Sequence, residues 1–129
     1  MYEELILDTC ALIWIAQGGA ELSKDCLNAI EKAKQVYVSA ISSFEISLKY
    51  RNGGIELPCD PERWYTNVLE NHDINELAID GKIAIASTKL PKIHKDPCDR
   101  FIIASAKLNN LAIVTKDKLF KRYEVSLIQ

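Results

Sequence analysis

An α/β fold, with a central, mostly parallel sheet of four or five strands and helices on both of its faces, is predicted by two observations. Short aliphatic runs alternate with helix-like stretches along the whole chain. The clearest runs, such as Leu5-Ile6-Leu7 and Leu111-Ala112-Ile113-Val114, have no polar position, as expected of strands buried on both faces. In such sheets, sites form outside the carboxyl ends of the strands, so the residues that follow each run matter most.

Taken in order, Leu5–Leu7 forms a strand with Asp8 at its carboxyl end, and Ala11-Leu12-Ile13-Trp14-Ile15-Ala16 a helix stopped by Gly18-Gly19. Ser23 caps a second helix running to about Lys34, and Val36–Ser39 is a second strand. Ser42-Ser43-Phe44-Glu45 opens a third helix that continues to Asn52, which places Glu45 in its first turn; Gly53-Gly54 ends it by admitting a left-handed backbone. A helix with Pro61 near its start carries Trp64, Val68 and Leu69. Asn75–Ile79 is a weaker strand, and Asp80 caps a helix from Gly81 to Thr88. A loop, Lys89 to Lys95, leads to the next helix, which ends near Asn109-Asn110. After Leu111–Thr115, the most convincing strand of the second half, come Asp117, a short helical turn from Lys118 to Tyr123, and a final strand, Val125–Ile128.

Composition narrows the class. At 129 residues and 48% hydrophobic content the chain is the size of one domain, residues 1–129, with no internal repeat or linker. No signal-like start and no apolar run near the ~20 residues of a membrane span is present, which predicts a cytoplasmic protein without membrane association. Cys10, Cys26, Cys59 and Cys98 form no C-x-x-C pair, which argues for free thiols and against structural zinc. The net charge of −2 does not announce a nucleic-acid partner, although a local basic rim around an acidic, metal-filled centre can bind phosphate.

The stretch Lys95-Asp96-Pro97-Cys98-Asp99-Arg100-Phe101-Ile102-Ile103-Ala104-Ser105-Ala106 carries the oddest residue. Asp96 serves as N-cap and Pro97 suits the first helical position. Counted in helical steps, Asp99 shares a face with Ile102, Ile103 and Ala106, so its carboxylate points where the core does. That face has no Lys or Arg to pair with it. Asp8 and Asp117 lie at or beyond strand ends, and Glu45 and Asp99 in helix starts, so all four acids converge on one edge of the sheet.

Each acid alone has a plainer reading. Ser42-x-x-Glu45 is a capping box, Asp99 complements a helix dipole, and Asp8 and Asp117 are turn residues. Together they would repel by roughly 1 to 4 kcal/mol per close pair, and a divalent cation offsets this naturally. Mg²⁺ or Mn²⁺ on hard oxygen ligands can orient a phosphodiester and activate a water, so the protein needs no nucleophile of its own. Thr9 and Thr115, next to Asp8 and near Asp117, are placed to orient carboxylates through their hydroxyls.

Asp8-Thr9-Cys10-Ala11-Leu12-Ile13-Trp14, Ser42-Ser43-Phe44-Glu45-Ile46-Ser47-Leu48-Lys49, His94-Lys95-Asp96-Pro97-Cys98-Asp99-Arg100 and Val114-Thr115-Lys116-Asp117, in this order and spacing, resemble the PIN-domain ribonucleases, and more closely the VapC-type toxins of bacterial toxin–antitoxin pairs. The resemblance spans nearly the whole chain. It implies a single PIN domain with a PIN-like three-layer α/β/α fold and a Mg²⁺- or Mn²⁺-dependent endoribonuclease whose catalytic, metal-holding acids are Asp8, Glu45, Asp99 and Asp117, supported by Thr9, Thr115 and Asp96. It also implies homodimers, an RNA substrate and an antitoxin protein that obstructs the site. Cys10 stands where His is expected, Phe44 where Trp is usual and Cys98 where Phe is usual; none of these removes an acid.

Among the basic residues flanking the last two acids, Arg100 is the first choice for the RNA backbone, with His94, Lys95 and Lys116 beside it. Trp14, Phe44 and Trp64 fall in amphipathic helices and read as core or interface. A phosphoacceptor receiver domain fits poorly, because Asp8 stands alone and Val38-Ser39 offers no acceptor. A DNA-directed nuclease of the same fold and a PIN-like binding protein without catalysis are the remaining alternatives.

Overall fold

The computed structural model describes residues 3–129. β1 (Glu4–Leu7) leads through α1 (Thr9–Ala16) and α2 (Lys24–Lys32) to β2 (Gln35–Ser39), and then through α3 (Ala40–Arg51) and α4 (Pro61–Asn71) to β3 (Ile74–Leu77). α5 (Gly81–Thr88) and α6 (Pro97–Asn109) precede β4 (Ala112–Val114), and a 3-10 turn, Lys118–Arg122, precedes β5 (Leu127–Ile128). The five strands form one parallel sheet in the order β3-β2-β1-β4-β5. Five strands, all parallel, is the larger of the two expected counts. The end strands differ from the sequence pattern: β3 is Ile74–Leu77 and β5 only Leu127–Ile128, although the Ser126 carbonyl still accepts the Ile113 N–H of β4 at 2.9 Å.

Strand alternation divides the core in two. Leu5, Leu7, Val36, Val38, Ala112 and Val114 face α1, α2, α3 and α4, packing with Leu12, Cys26, Ile46, Trp64 and Val68. Ile6 and Ile113 face the other way, against Ile83, Ile102, Ile103, Phe120 and Tyr123 from α5, α6 and the 3-10 turn. The result is three layers, with β1 in the middle of the sheet and buried on both faces. No helix among the described residues is long and apolar enough to cross a membrane.

The helix boundaries follow local chemistry. Ser23, Asp60, Asp80 and Asp96 each accept a backbone N–H from the first turn of α2, α4, α5 and α6, respectively. Gly53, at φ +75°, lets the chain leave α3 so that the Gly54 N–H reaches the Lys49 carbonyl at 2.7 Å. Asn110 ends α6 in the left-handed region, φ 54°.

The start of α3 differs from the sequence expectation in a way that moves a site residue. α3 begins at Ala40, capped by Ser39, whose hydroxyl accepts the Ile41 N–H at 3.2 Å. Ser39, the last residue of β2, already has the extended backbone an N-cap needs, so the helix starts without a loop. Glu45 therefore lies in the second turn and not the first. The Ser42–Glu45 capping box does not form, because the Ser42 hydroxyl is buried against Thr9 at 2.8 Å.

The chain runs outward from β1 to β2 and β3, then returns to the other side of β1 to lay down β4 and β5. Strand order thus reverses at β1, and the crevice above the carboxyl ends of β1 and β4 is the place where such sheets hold ligands.

Candidate active site

Asp8 follows β1 directly and caps α1. Its Oδ1 accepts the Ala11 N–H at 2.8 Å, while its own N–H donates to the Val114 carbonyl of β4 at 3.1 Å. The carboxylate is buried, and burial pushes its pKa above the ordinary value. Bonds from the Thr115 hydroxyl and the Ala11 N–H oppose that rise, while the charges of Asp117 and Glu45 add to it.

Glu45 reaches the same crevice from α3. Its Oε1 accepts the Thr9 hydroxyl at 2.7 Å, and its Oε2 lies 3.9 Å from Lys49 Nζ. Thr9 therefore adjoins Asp8 in sequence but holds Glu45, while the Thr115 hydroxyl favours the charged form of Asp8. Thr115 Oγ1 also accepts the Asp117 N–H at 3.0 Å.

Asp99 lies in the first turn of α6. Its pKa is pushed up to about 6, chiefly by burial. A proton on His94 would lower it, and the carboxylates of Asp96, Glu45 and Asp117 raise it further. Asp96 itself is the exposed N-cap, accepting the Cys98 N–H at 2.9 Å.

Asp117 caps the 3-10 turn: Oδ1 accepts the Leu119 N–H at 2.9 Å and Oδ2 lies 3.0 Å from His94 Nε2. Asp8, Glu45, Asp99 and Asp117 line one cleft of about 310 Å³ together with Thr9, Cys10, Trp14 and Lys116. Ligand atoms of His94, Asp99 and Asp117 all lie within 4.8 Å of one another, which is within the span of a single cation. A second hollow of about 310 Å³, lined by residues such as Ser43, Ile46, Pro61 and Tyr65, lies between α3 and α4, away from the four acids.

Cys10 is exposed at the cleft, and partial desolvation there, together with the neighbouring Asp8 charge, raises its thiol pKa, so it stays protonated at neutral pH. Cys98 is buried, and burial, followed by the charges of Glu45 and Asp96, pushes it up to about 12.

The basic residues divide. Lys95 is exposed in the loop before α6, and Lys116 stands over the Trp14 ring at 5.1 Å on the cleft wall. Arg100, the expected first contact for RNA, is hydrogen-bonded within its own fold. Its guanidinium donates to the carbonyls of Ser87, Leu90 and Pro91 at 2.8, 2.9 and 2.8 Å, tying the end of α5 and the following loop to α6. His94, also expected to face RNA, has a side chain only 6% exposed; it packs edge-on to Phe120 and stacks on Tyr123.

Trp14 and Tyr123 were not legible as site residues. Trp14 sits in an apolar run that reads as core, and only its partial exposure beside Lys116 puts it at the cleft. Nothing in the sequence pairs Tyr123 with His94.

The PIN domain family profile matches residues 5–125. Ribonuclease VapC22 of Mycobacterium tuberculosis is 28% identical over 120 residues, covering 92% of this chain and 91% of that protein. Among solved structures, VapBC2 from Rickettsia felis bound to a DNA fragment from their promoter superposes with a TM-score of 0.72 at 16% identity, over 97% of each chain. A toxin–antitoxin complex from Klebsiella pneumoniae gives 0.67 at 22% identity, over 97% of this chain and 96% of that one. At these identities the structural likeness establishes the fold, whereas the family match spans almost the whole sequence, cleft included: the chain belongs to the PIN-domain family.

Proposed function

We propose that this chain is a Mg²⁺- or Mn²⁺-dependent endoribonuclease, the toxin of a toxin–antitoxin pair, acting in the cytoplasm as a homodimer until its antitoxin obstructs the cleft. The observation that carries this reading is the convergence of Asp8, Glu45, Asp99 and Asp117, from four separate segments, on one cleft. Its relatives support the rest: one is named a ribonuclease, and several solved neighbours are toxin–antitoxin complexes.

The donor set fits a hard divalent cation. All four side chains present carboxylate oxygens, and Asp8 and Asp99 are each disfavoured in the charged form by burial and by the charges of Glu45 and Asp117, which a cation would relieve. Bound there, Mg²⁺ or Mn²⁺ would supply Lewis acidity toward a phosphodiester and lower the pKa of water. The chain's own residues prepare the site. Thr9 fixes the rotamer of Glu45, the Ala11 N–H that of Asp8, and the Leu119 N–H that of Asp117, while the Thr115 hydroxyl favours the charged form of Asp8. Lys116 and Lys95 offer positive charge to the RNA backbone where a substrate would enter.

The test is cleavage of a single-stranded RNA and a DNA oligonucleotide of the same sequence by the purified chain, with Mg²⁺, with Mn²⁺ and with EDTA. Cleavage of RNA alone, abolished by EDTA and by Glu45→Gln, supports the reading. Cleavage of both oligonucleotides replaces it with a nuclease of broader substrate. Absence of both cleavage and Mn²⁺ binding overturns it in favour of a PIN-like binding protein.

A further inference from the structure

We propose that His94, oriented by Tyr123, is a positioning residue that fixes the Asp117 carboxylate relative to Asp99. The inference rests on the metal-dependent reading above and adds to it a residue that is not among the four acids.

The geometry gives the imidazole two partners with different jobs. Tyr123 Oη accepts the His94 backbone N–H at 3.0 Å and lies 2.8 Å from Nδ1, so its one proton is free to go to Nδ1. Nδ1 is then an acceptor. An ionised Asp117 can only accept, so Nε2 carries a ring proton and donates it to Asp117 Oδ2 at 3.0 Å, with Asp99 Oδ2 at 3.8 Å.

Asp117 and Tyr123 are the N-cap and C-cap of the 3-10 turn, so one imidazole ties both ends of that turn to the loop that delivers α6 and Asp99. Phe120, fully buried, closes the edge of the ring, which cannot rotate away. The ring is 6% exposed and does not line the cleft, so it sits behind the carboxylates. With Oδ1 held by the Leu119 N–H and Oδ2 by His94, Asp117 has both oxygens fixed before any cation arrives. A histidine placed behind a ligating carboxylate in this way acts as outer-shell partners of metal ligands do, and loss of such a partner costs about 10- to 100-fold in metal affinity.

The experiment is calorimetric titration of Mn²⁺ into metal-free wild type, His94→Ala, His94→Gln and Tyr123→Phe, with thermal melts of each. It is accompanied by ¹⁵N NMR of the histidine rings in the metal-free wild type and by pulsed EPR of the Mn²⁺-loaded wild type. Expected are an Nε2–H tautomer for His94, at least tenfold weaker Mn²⁺ binding by folded His94→Ala, and recovery of most of that loss by His94→Gln, whose amide can still donate to Asp117. Tyr123→Phe should release the tautomer preference and weaken Mn²⁺ binding less than His94→Ala.

Wild-type affinity in His94→Ala, with only the melting temperature lowered, overturns the positioning role while leaving the metal reading intact. An Nδ1–H tautomer overturns it as well. Hyperfine coupling from a directly coordinated histidine nitrogen overturns it in favour of a ligand role. A wild type that binds no Mn²⁺ overturns the metal reading and the positioning role with it.

Discussion

Thr9 Oγ1 donates to Glu45 Oε1 at 2.7 Å and lies 2.8 Å from Ser42 Oγ, joining the first turn of α1 to α3 through a buried hydroxyl pair. The contact sets how far Glu45 leans into the cleft, because its other oxygen has only the exposed, 3.9 Å partner Lys49. Thr9→Val keeps the shape and removes the donor. It should weaken Mn²⁺ binding about tenfold, as loss of an outer-shell partner does. It should also cost about 1 to 3 kcal/mol of stability, because Ser42 is left buried without its neighbour. Calorimetry and urea unfolding of the same preparation separate the two effects. Unchanged affinity with reduced stability would make Thr9 a packing residue only.

Asp99 makes the metal-free protein sensitive to pH in a definite direction. Its pKa is about 6 in the fold against 3.8 as the ordinary value, so between these values the folded state binds more protons than the unfolded chain. Stability associated with this group is therefore greatest below about pH 4, falls as pH rises toward about 6 and stays low above it. Asp99→Asn removes the penalty. In EDTA the variant should melt above wild type at pH 7.5 and close to it at pH 4. The gap should be about 1 to 2 kcal/mol after solvent screening of a side chain that is 27% exposed. At about 3 to 5 °C per kcal/mol, melting curves across pH 4 to 8 resolve it. Mn²⁺ should close the gap by stabilising wild type alone.

The sequence-level reading succeeded where one residue's chemistry is decided locally. Asp80, Asp96 and Pro97 mark helix starts whatever packs on them, and the uninterrupted aliphatic runs at Leu5 and Leu111 allow only a buried strand. Asp99 announced itself because a carboxylate on an apolar helix face needs a reason. It failed where two patterns compete within a few residues. Ser39 and Ser42 both cap well, and the choice between them was made by the strand that ends at Ser39 and by Thr9, a residue on another helix. The sequence is silent on which way Arg100 and His94 face, because a basic residue beside an acidic site looks the same whether it meets solvent or the interior. Only the fold brings the carbonyls of Ser87 and Leu90 to Arg100, and Tyr123 to His94.

Arg100 should accordingly behave as a structural residue. Three carbonyls from the end of α5 and the loop beyond it converge on its guanidinium, a planar donor that Lys cannot reproduce. Arg100→Lys should destabilise the protein by about 1 to 2 kcal/mol and Arg100→Ala by about 2 to 4 kcal/mol, since hydrogen bonds to a charged group are worth about 1.5 to 3 kcal/mol each and add incompletely. Urea unfolding gives the magnitude. RNA binding by the folded fraction should keep the wild-type salt dependence; a shallower slope in Arg100→Lys would return this residue to the RNA surface.

Lys116 should carry the opposite signature. It is exposed on the cleft wall, held over Trp14 at 5.1 Å, and makes no ion pair within the chain among the described residues. A cation so placed is pre-oriented toward whatever phosphate enters beside Asp117, while its contact with an exposed ring adds only about 0.5 to 1 kcal/mol to the fold. Lys116→Gln should therefore leave the melting temperature within about 2 °C of wild type. It should also lower the slope of log affinity against log salt by about 0.7 for single-stranded RNA, the value for one phosphate contact. The measurement is fluorescence anisotropy across a salt series on a Glu45→Gln background, so that the RNA stays intact. If the affinity drops by the same factor at every salt concentration, Lys116 holds Trp14 in place and the phosphate is read by another residue.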